Sequence, residues 1–172
     1  SSAIAAEVRT QVKKQKHLAW QRRAEIVSPG KPLTREALEY VDAIVNATGI
    51  PYHMIAMIPI GRGQGVKPYV YADGWFLKCR TDPRGIKSVA YPELSIDKET
   101  MSVIVRCVIT LGTGQSYEGM VFKNLNDERQ GRNSSATMTT LVNKAITQAR
   151  GKAAYEAVGG TFPGLAEEYL DV

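Results

Sequence analysis

Apolar and polar positions follow two different periods along this chain, and the change of period divides it. Near the N-terminus Ala5, Val8, Val12 and Ala19 recur at close to helical spacing, with basic residues on the other faces, which predicts a helix over 3–26 stopped by Pro29 and Gly30. A second helix is predicted over 35–48. Thr34 is its N-cap, Leu38, Val41, Ile44 and Val45 form its apolar stripe, and Gly49 stands at C′. Residues 53–60 then read as a strand, Gly61-Arg62-Gly63-Gln64-Gly65 as a turn, and 67–71 as a short strand. Asp73 is placed to cap a short helix over 74–80.

The next stretch is β-rich. Residues 86–96 alternate loosely, 101–111 are strongly β-branched, Gly112-Thr113-Gly114 is hairpin chemistry, and 115–122 returns as a partner strand. Residues 124–133 are polar and read as a loop. Ser134 or Ser135 then caps a long helix over roughly 136–158, ended by Gly159-Gly160. On it Met138, Leu141, Val142, Ala145, Ile146, Ala149 and Ala153 share a face whose alanines permit close packing on a sheet, and Lys144, Gln148, Lys152 and Tyr155 run along its flank. The order predicts an α+β fold: an antiparallel β-meander packed against a long C-terminal helix, with helices at the N-terminus.

Composition narrows the function classes. The 172 residues suit one ordinary domain, and no apolar run approaches the roughly 20 residues of a membrane span. Arg9, Lys13, Lys14 and Lys16 stand where the apolar stretch of a signal peptide would be. Cys79 and Cys107 are too few for a disulfide framework or a four-ligand zinc site, which points to a reducing cytosol.

The net charge of +5 is unevenly placed. Residues 1–35 hold eight Lys/Arg against two acids, 62–87 hold six against two, and 123–152 hold six against two. Such clusters suit a polyanionic partner, since each neutralised phosphate releases condensed counterions; a merely solvated basic surface is the plain alternative.

Sites for covalent chemistry are sparse. His17 and His53 cannot build a histidine metal cluster, and His53 reads as structural. Lys78 and Arg80 flank Cys79 and are placed to lower its thiol pKa, while Cys107 reads as core. The glycine-rich turn at 61–65 lacks the Lys-Ser/Thr of a phosphate loop; it suits either close approach to a phosphate chain or an ordinary turn. Asp73, Asp82, Glu93 and Asp97 offer magnesium ligands for a nuclease, at generic spacing. More specific is the interleaving of Lys67, Tyr69, Tyr71, Trp75, Lys78, Arg80, Arg84, Lys87 and Tyr91. Cations for a backbone and rings for bases are the means by which single strands are held, although some of these rings must serve the core.

The segment Pro68-Tyr69-Val70-Tyr71-Ala72-Asp73-Gly74-Trp75 resembles the strand-turn-helix of the RecT and Red-beta type phage recombinases. Gly85-Ile86-Lys87-Ser88-Val89, the hairpin, and the helix from Lys144 to Tyr155 fit the same plan, which the wider annealing superfamily shares as a β-β-β-α core. The resemblance covers about residues 50–160. It implies ATP-independent binding and annealing of single-stranded DNA in recombination by a homo-oligomeric ring or filament in the cytoplasm of a bacterial host. It implies no enzyme activity, cofactor or metal. Its partners would be the single strand, the annealed duplex intermediate, and an exonuclease or host single-strand-binding protein.

By position the resemblance implicates Lys67, Lys78, Arg80, Arg84, Arg129, Arg132, Lys144, Arg150 and Lys152 in DNA binding, with Tyr69 and Trp75 as base-stacking candidates. The eukaryotic relatives carry more positive charge where Gly151 and Tyr155 stand here, which shifts weight to the loop before the helix. The expected organisation is a basic arm over 1–33 for oligomer or DNA contact, an annealing-type core over 34–160, and an acidic tail over 161–172. Two rival readings are a scaffold protein with a basic arm and a metal-dependent nuclease.

Overall fold

The computed structural model describes residues 2–27, 35–59, 66–131 and 133–159. The stop at Pro29-Gly30, the Thr34 cap, the 61–65 turn, Arg132 and the acidic tail lie outside the described residues. The chain divides into two compact units, Ser1–Val70 and Tyr71–Val172.

In the first unit, α1 (Ser2–Val27) and α2 (Arg35–Thr48) precede the antiparallel strands β1 (Ile55–Pro59) and β2 (Val66–Val70). Val41 and Ile44 of α2 are buried with Ile50, Ile55 and Val70. The helix ends as predicted: Gly49, at φ +72°, donates its N–H to the Val45 carbonyl. Buried Thr48 donates to the Ile44 carbonyl and accepts from the Ile50 N–H, so the turn leaves no polar group stranded there. Asp42 is shared by Lys13 of α1, at 2.9 Å, and the Tyr52 hydroxyl. On α1 the apolar stripe is uncovered: Ile4, Val8, Val12 and Leu18 are all exposed.

The second unit holds α3 (Ala72–Arg80), the meander β3 (Ile86–Asp97), β4 (Ser102–Leu111) and β5 (Ser116–Asn124), α4 (Leu125–Gln130) and α5 (Met138–Val158). The sheet is antiparallel in the order β3-β4-β5 and packs against α5, which is the expected α+β architecture. The loose alternation of β3 has a local cause. Pro92 cannot donate to the ladder, and the register shifts between Ala90 and Glu93. The β4–β5 turn is a three-residue loop closed by the Leu111 N–H on the Gln115 carbonyl at 2.8 Å, with Gly114 at φ +90°.

Three expectations are corrected. The short helix begins at Ala72, after Tyr71, so Asp73 lies inside its first turn and does not cap it. Residues 125–130 form α4 where a loop was expected. The Asn124 side-chain Oδ1 accepts from the Asn126 and Asp127 N–H groups, and buried Leu125 anchors the helix. The long helix starts at Met138, because Thr137 and Thr140 make a reciprocal capping box; neither Ser134 nor Ser135 caps it.

One face of the sheet is the core of this unit. Val103, Val105, Cys107, Ile109 and Leu111 of β4 and Val121 of β5 lie buried against Leu141, Ala145, Ala149 and Ala153 of α5. The alanines and one glycine set the approach: a Cβ on Gly119 would stand 2.2 Å from the Ala149 carbonyl oxygen. On another side of α5, Gly151 accommodates Ala72 of α3, and Trp75 packs edge-on against Tyr155 with ring centroids 4.9 Å apart. The opposite sheet face is open, with Met120 54% and Phe122 63% exposed.

Candidate nucleic-acid interface

Helical geometry separates the three basic residues of α5. At about 100° per residue, Arg150 lies about 120° from Lys144 and about 160° from Lys152 around the axis, so it cannot share their flank. Lys144 and Lys152 follow the β5 side, where the Lys152 side chain leaves the helix beside Gly119. Arg150 follows the α3 side, where it meets Asp73.

On the β5 side the sheet adds a third amine. Lys123 falls in the same alternation as buried Gly119 and Val121, so its stem is turned toward α5 and half-buried. Its pKa is lowered, first by burial and then by repulsion from Lys144 and Lys152, with Glu128 partly offsetting both. Glu128 of α4 bonds to the Lys144 ammonium, which holds its carboxyl below the usual range. Lys144 and Lys123 thus act on one carboxylate, Lys152 adds its charge beside Lys123, and Lys144 remains 46% exposed. A patch of this kind attracts an anion, because bringing one in relieves repulsion among charges already partly stripped of water.

On the α3 side the charge of Arg150 is already answered. Arg150 Nη2 lies 3.0 Å from Asp73 Oδ1, and its guanidinium sits 4.4 Å from the centre of the Phe76 ring. Arg80 approaches the same ring at 5.4 Å. Beneath them Tyr91 faces Cys107 and Arg150. Burial first, and then Cys107, raises the Tyr91 pKa, while Arg150 lowers it.

The remaining predicted contacts are dispersed. Arg84 holds Asp82 through two nitrogens and donates to the Ala157 carbonyl at 2.9 Å, tying the loop after α3 to the end of α5. Arg129 donates to the Ala136 carbonyl across the α4–α5 connection. Lys78 is half-buried on α3, and Tyr69 is half-buried on β2, where Lys67 pairs in register with Ile58. Trp75, offered as a stacking ring, is a correction: it is 1% exposed and packed on Tyr155, so it has no open face for a base.

Two residues of the site were missed in the sequence, Lys123 and Phe76. The signal for Lys123 was its place two residues beyond Val121 in a strand alternation. The signal for Phe76 was Arg80 four residues on along the same helix, while its contact with Arg150 left none.

Neither thiol is activated. Burial and Asp82 raise the Cys79 pKa despite Arg84, which corrects the expected lowering by Lys78 and Arg80. Burial lifts the Cys107 thiol to about 11. The acids considered for magnesium are separately employed: Asp73 on Arg150, and Asp97 on the Glu99 and Thr100 N–H groups of the β3–β4 turn, while Glu93 stands opposite Arg106. Among the described residues no three His, Cys, Asp or Glu side chains gather as metal ligands. No described helix is long and apolar enough to cross a membrane. No protein-family model matches the chain, and no curated protein matches it.

Proposed function

We propose that this protein binds single-stranded DNA and anneals complementary strands without ATP, as a homo-oligomeric ring or filament acting in recombination. The observation that carries the reading is the cluster of Lys123, Lys144 and Lys152, in which the Glu128 carboxylate pairs with Lys144. This basic flank lies where α5 crosses β5, the kind of groove in which the resembling recombinases hold DNA. Neutralising the backbone there releases counterions and reduces the repulsion between two strands. A strand held by its phosphates keeps its base edges free to test a second strand, and pairing and stacking then drive the reaction. The setting is the cytoplasm of a bacterial host.

A second reading, a scaffold that assembles through apolar surfaces, is favoured by the open sheet face with Met120 and Phe122. Pairing of two labelled complementary oligonucleotides, followed by energy transfer at low salt without nucleotide, separates the two. Protein-dependent acceleration that fades with added salt is expected. An unaided rate alongside a stable assembly would move the scaffold reading to first place.

A further inference from the structure

Of the two ion pairs that α5 makes among the described residues, that between Asp73 and Arg150 has the more exposed carboxylate. It is a single contact at 3.0 Å between a guanidinium 29% exposed and a carboxylate 56% exposed. A pair this open to water contributes little, so the carboxylate is readily displaced. Arg150 is also held independently, because its guanidinium rests on Phe76 at 4.4 Å, and the same ring carries Arg80 at 5.4 Å. Loss of Asp73 would therefore leave two guanidiniums around one ring, oriented and without that counter-charge.

We propose that Asp73 is an internal stand-in for a nucleic-acid phosphate. It occupies Arg150 in the free protein and yields it to the DNA backbone, with Arg80 and Phe76 completing the phosphate site. The proposal rests on the single-strand reading above and adds the second flank of α5 to it. A phosphate displaces the carboxylate because Asp73 meets the guanidinium through one contact, where a phosphate can take two nitrogens of the fork, and because Arg80 supplies a second cation that Asp73 does not engage. Asp73 then sets how tightly a strand is held, since every bound phosphate on this flank must first displace it.

The test is anisotropy of a labelled single-stranded oligonucleotide over a salt series, with wild type, Asp73→Asn, Asp73→Ser, Arg150→Gln and the Asp73→Asn/Arg150→Gln double variant. Glu118→Gln is the matched control: Glu118 pairs with Arg106 at 3.0 Å on the other face of the sheet with similar exposure. Both Asp73 variants are expected to bind about three- to tenfold more tightly at low salt. Their slope of log affinity against log salt should steepen by about 0.7, the share of one further phosphate. Glu118→Gln should leave the slope alone, and the Asp73→Asn gain should vanish once Arg150 is gone. Equal effects of Asp73→Asn and Glu118→Gln, or a gain that survives Arg150→Gln, would overturn the proposal while leaving single-strand binding standing. Failure of wild type and Asp73→Asn alike to bind would overturn both.

Discussion

The two flanks of α5 carry similar cations in opposite electrostatic states. On the β5 side Glu128 pairs with Lys144, and burial, joined by repulsion from Lys144 and Lys152, lowers the Lys123 pKa against the pull of Glu128. On the α3 side Arg150 has a carboxylate of its own and an aromatic ring to rest on. A count of positive residues along the helix treats these sides as equal. What distinguishes them is the counter-charge contributed by other elements: Glu128 from α4 pairs with Lys144 beside two further lysines, while Asp73 from α3 answers Arg150, with Arg80 beside the same ring. A cation's availability to a ligand is thus a property of the packing around it.

Four perturbations sharpen or break this contrast. The largest effect is expected from Gly119→Ala. The added methyl meets the backbone of α5 at Ala149 and Ala153, which cannot yield as a side chain could, and prises the lysine flank from β5. A loss of about 3 kcal/mol is expected in denaturant unfolding, with weakened DNA binding. Next is the Lys123→Gln/Lys144→Gln/Lys152→Gln variant, which should fold normally and bind single strands about 10- to 100-fold more weakly at low salt by anisotropy.

Asp82→Asn examines a cation removed from service altogether. Arg84 holds the Asp82 carboxyl below its ordinary 3.8, so the folded protein takes up that proton less readily than the unfolded chain. The stabilisation is complete above 3.8 and is lost as pH falls through the lower folded value. The variant should lose about 1–2 kcal/mol at neutral pH by thermal unfolding, and the gap to wild type should close in acid. The smallest effect is expected from Glu128→Gln, which removes the lone carboxylate of the lysine flank. Binding should tighten about two- to threefold, with about 1 kcal/mol of stability lost from a pair whose lysine stays half in water.

The fold was legible where local chemistry decides it. The β-branched run of β4, the Gly114 hairpin, the Gly49 cap and the alanine face of α5 each declare their conformation within a few residues. Boundaries failed where neighbouring residues competed as caps: Thr137 won over Ser134 and Ser135 through its reciprocal bond with Thr140, three residues on, and Asn124 turned a polar stretch into α4. The basic residues of the site were legible as a set, but their division was hidden. It depends on Asp73 meeting Arg150, 77 residues away, and on Glu128 meeting Lys144, 16 away. Trp75 shows the same limit, since nothing in its own neighbourhood says that Tyr155 closes over its ring.

The most direct test of the lysine flank is the salt dependence of single-strand binding for wild type beside the Lys123→Gln/Lys144→Gln/Lys152→Gln variant. If those amines neutralise backbone phosphates, the variant's slope of log affinity against log salt should be shallower by about 2, near 0.7 for each phosphate left without its lysine. Parallel lines of equal affinity would mean that the three lysines face water alone and that the basic flank is not where this protein meets DNA.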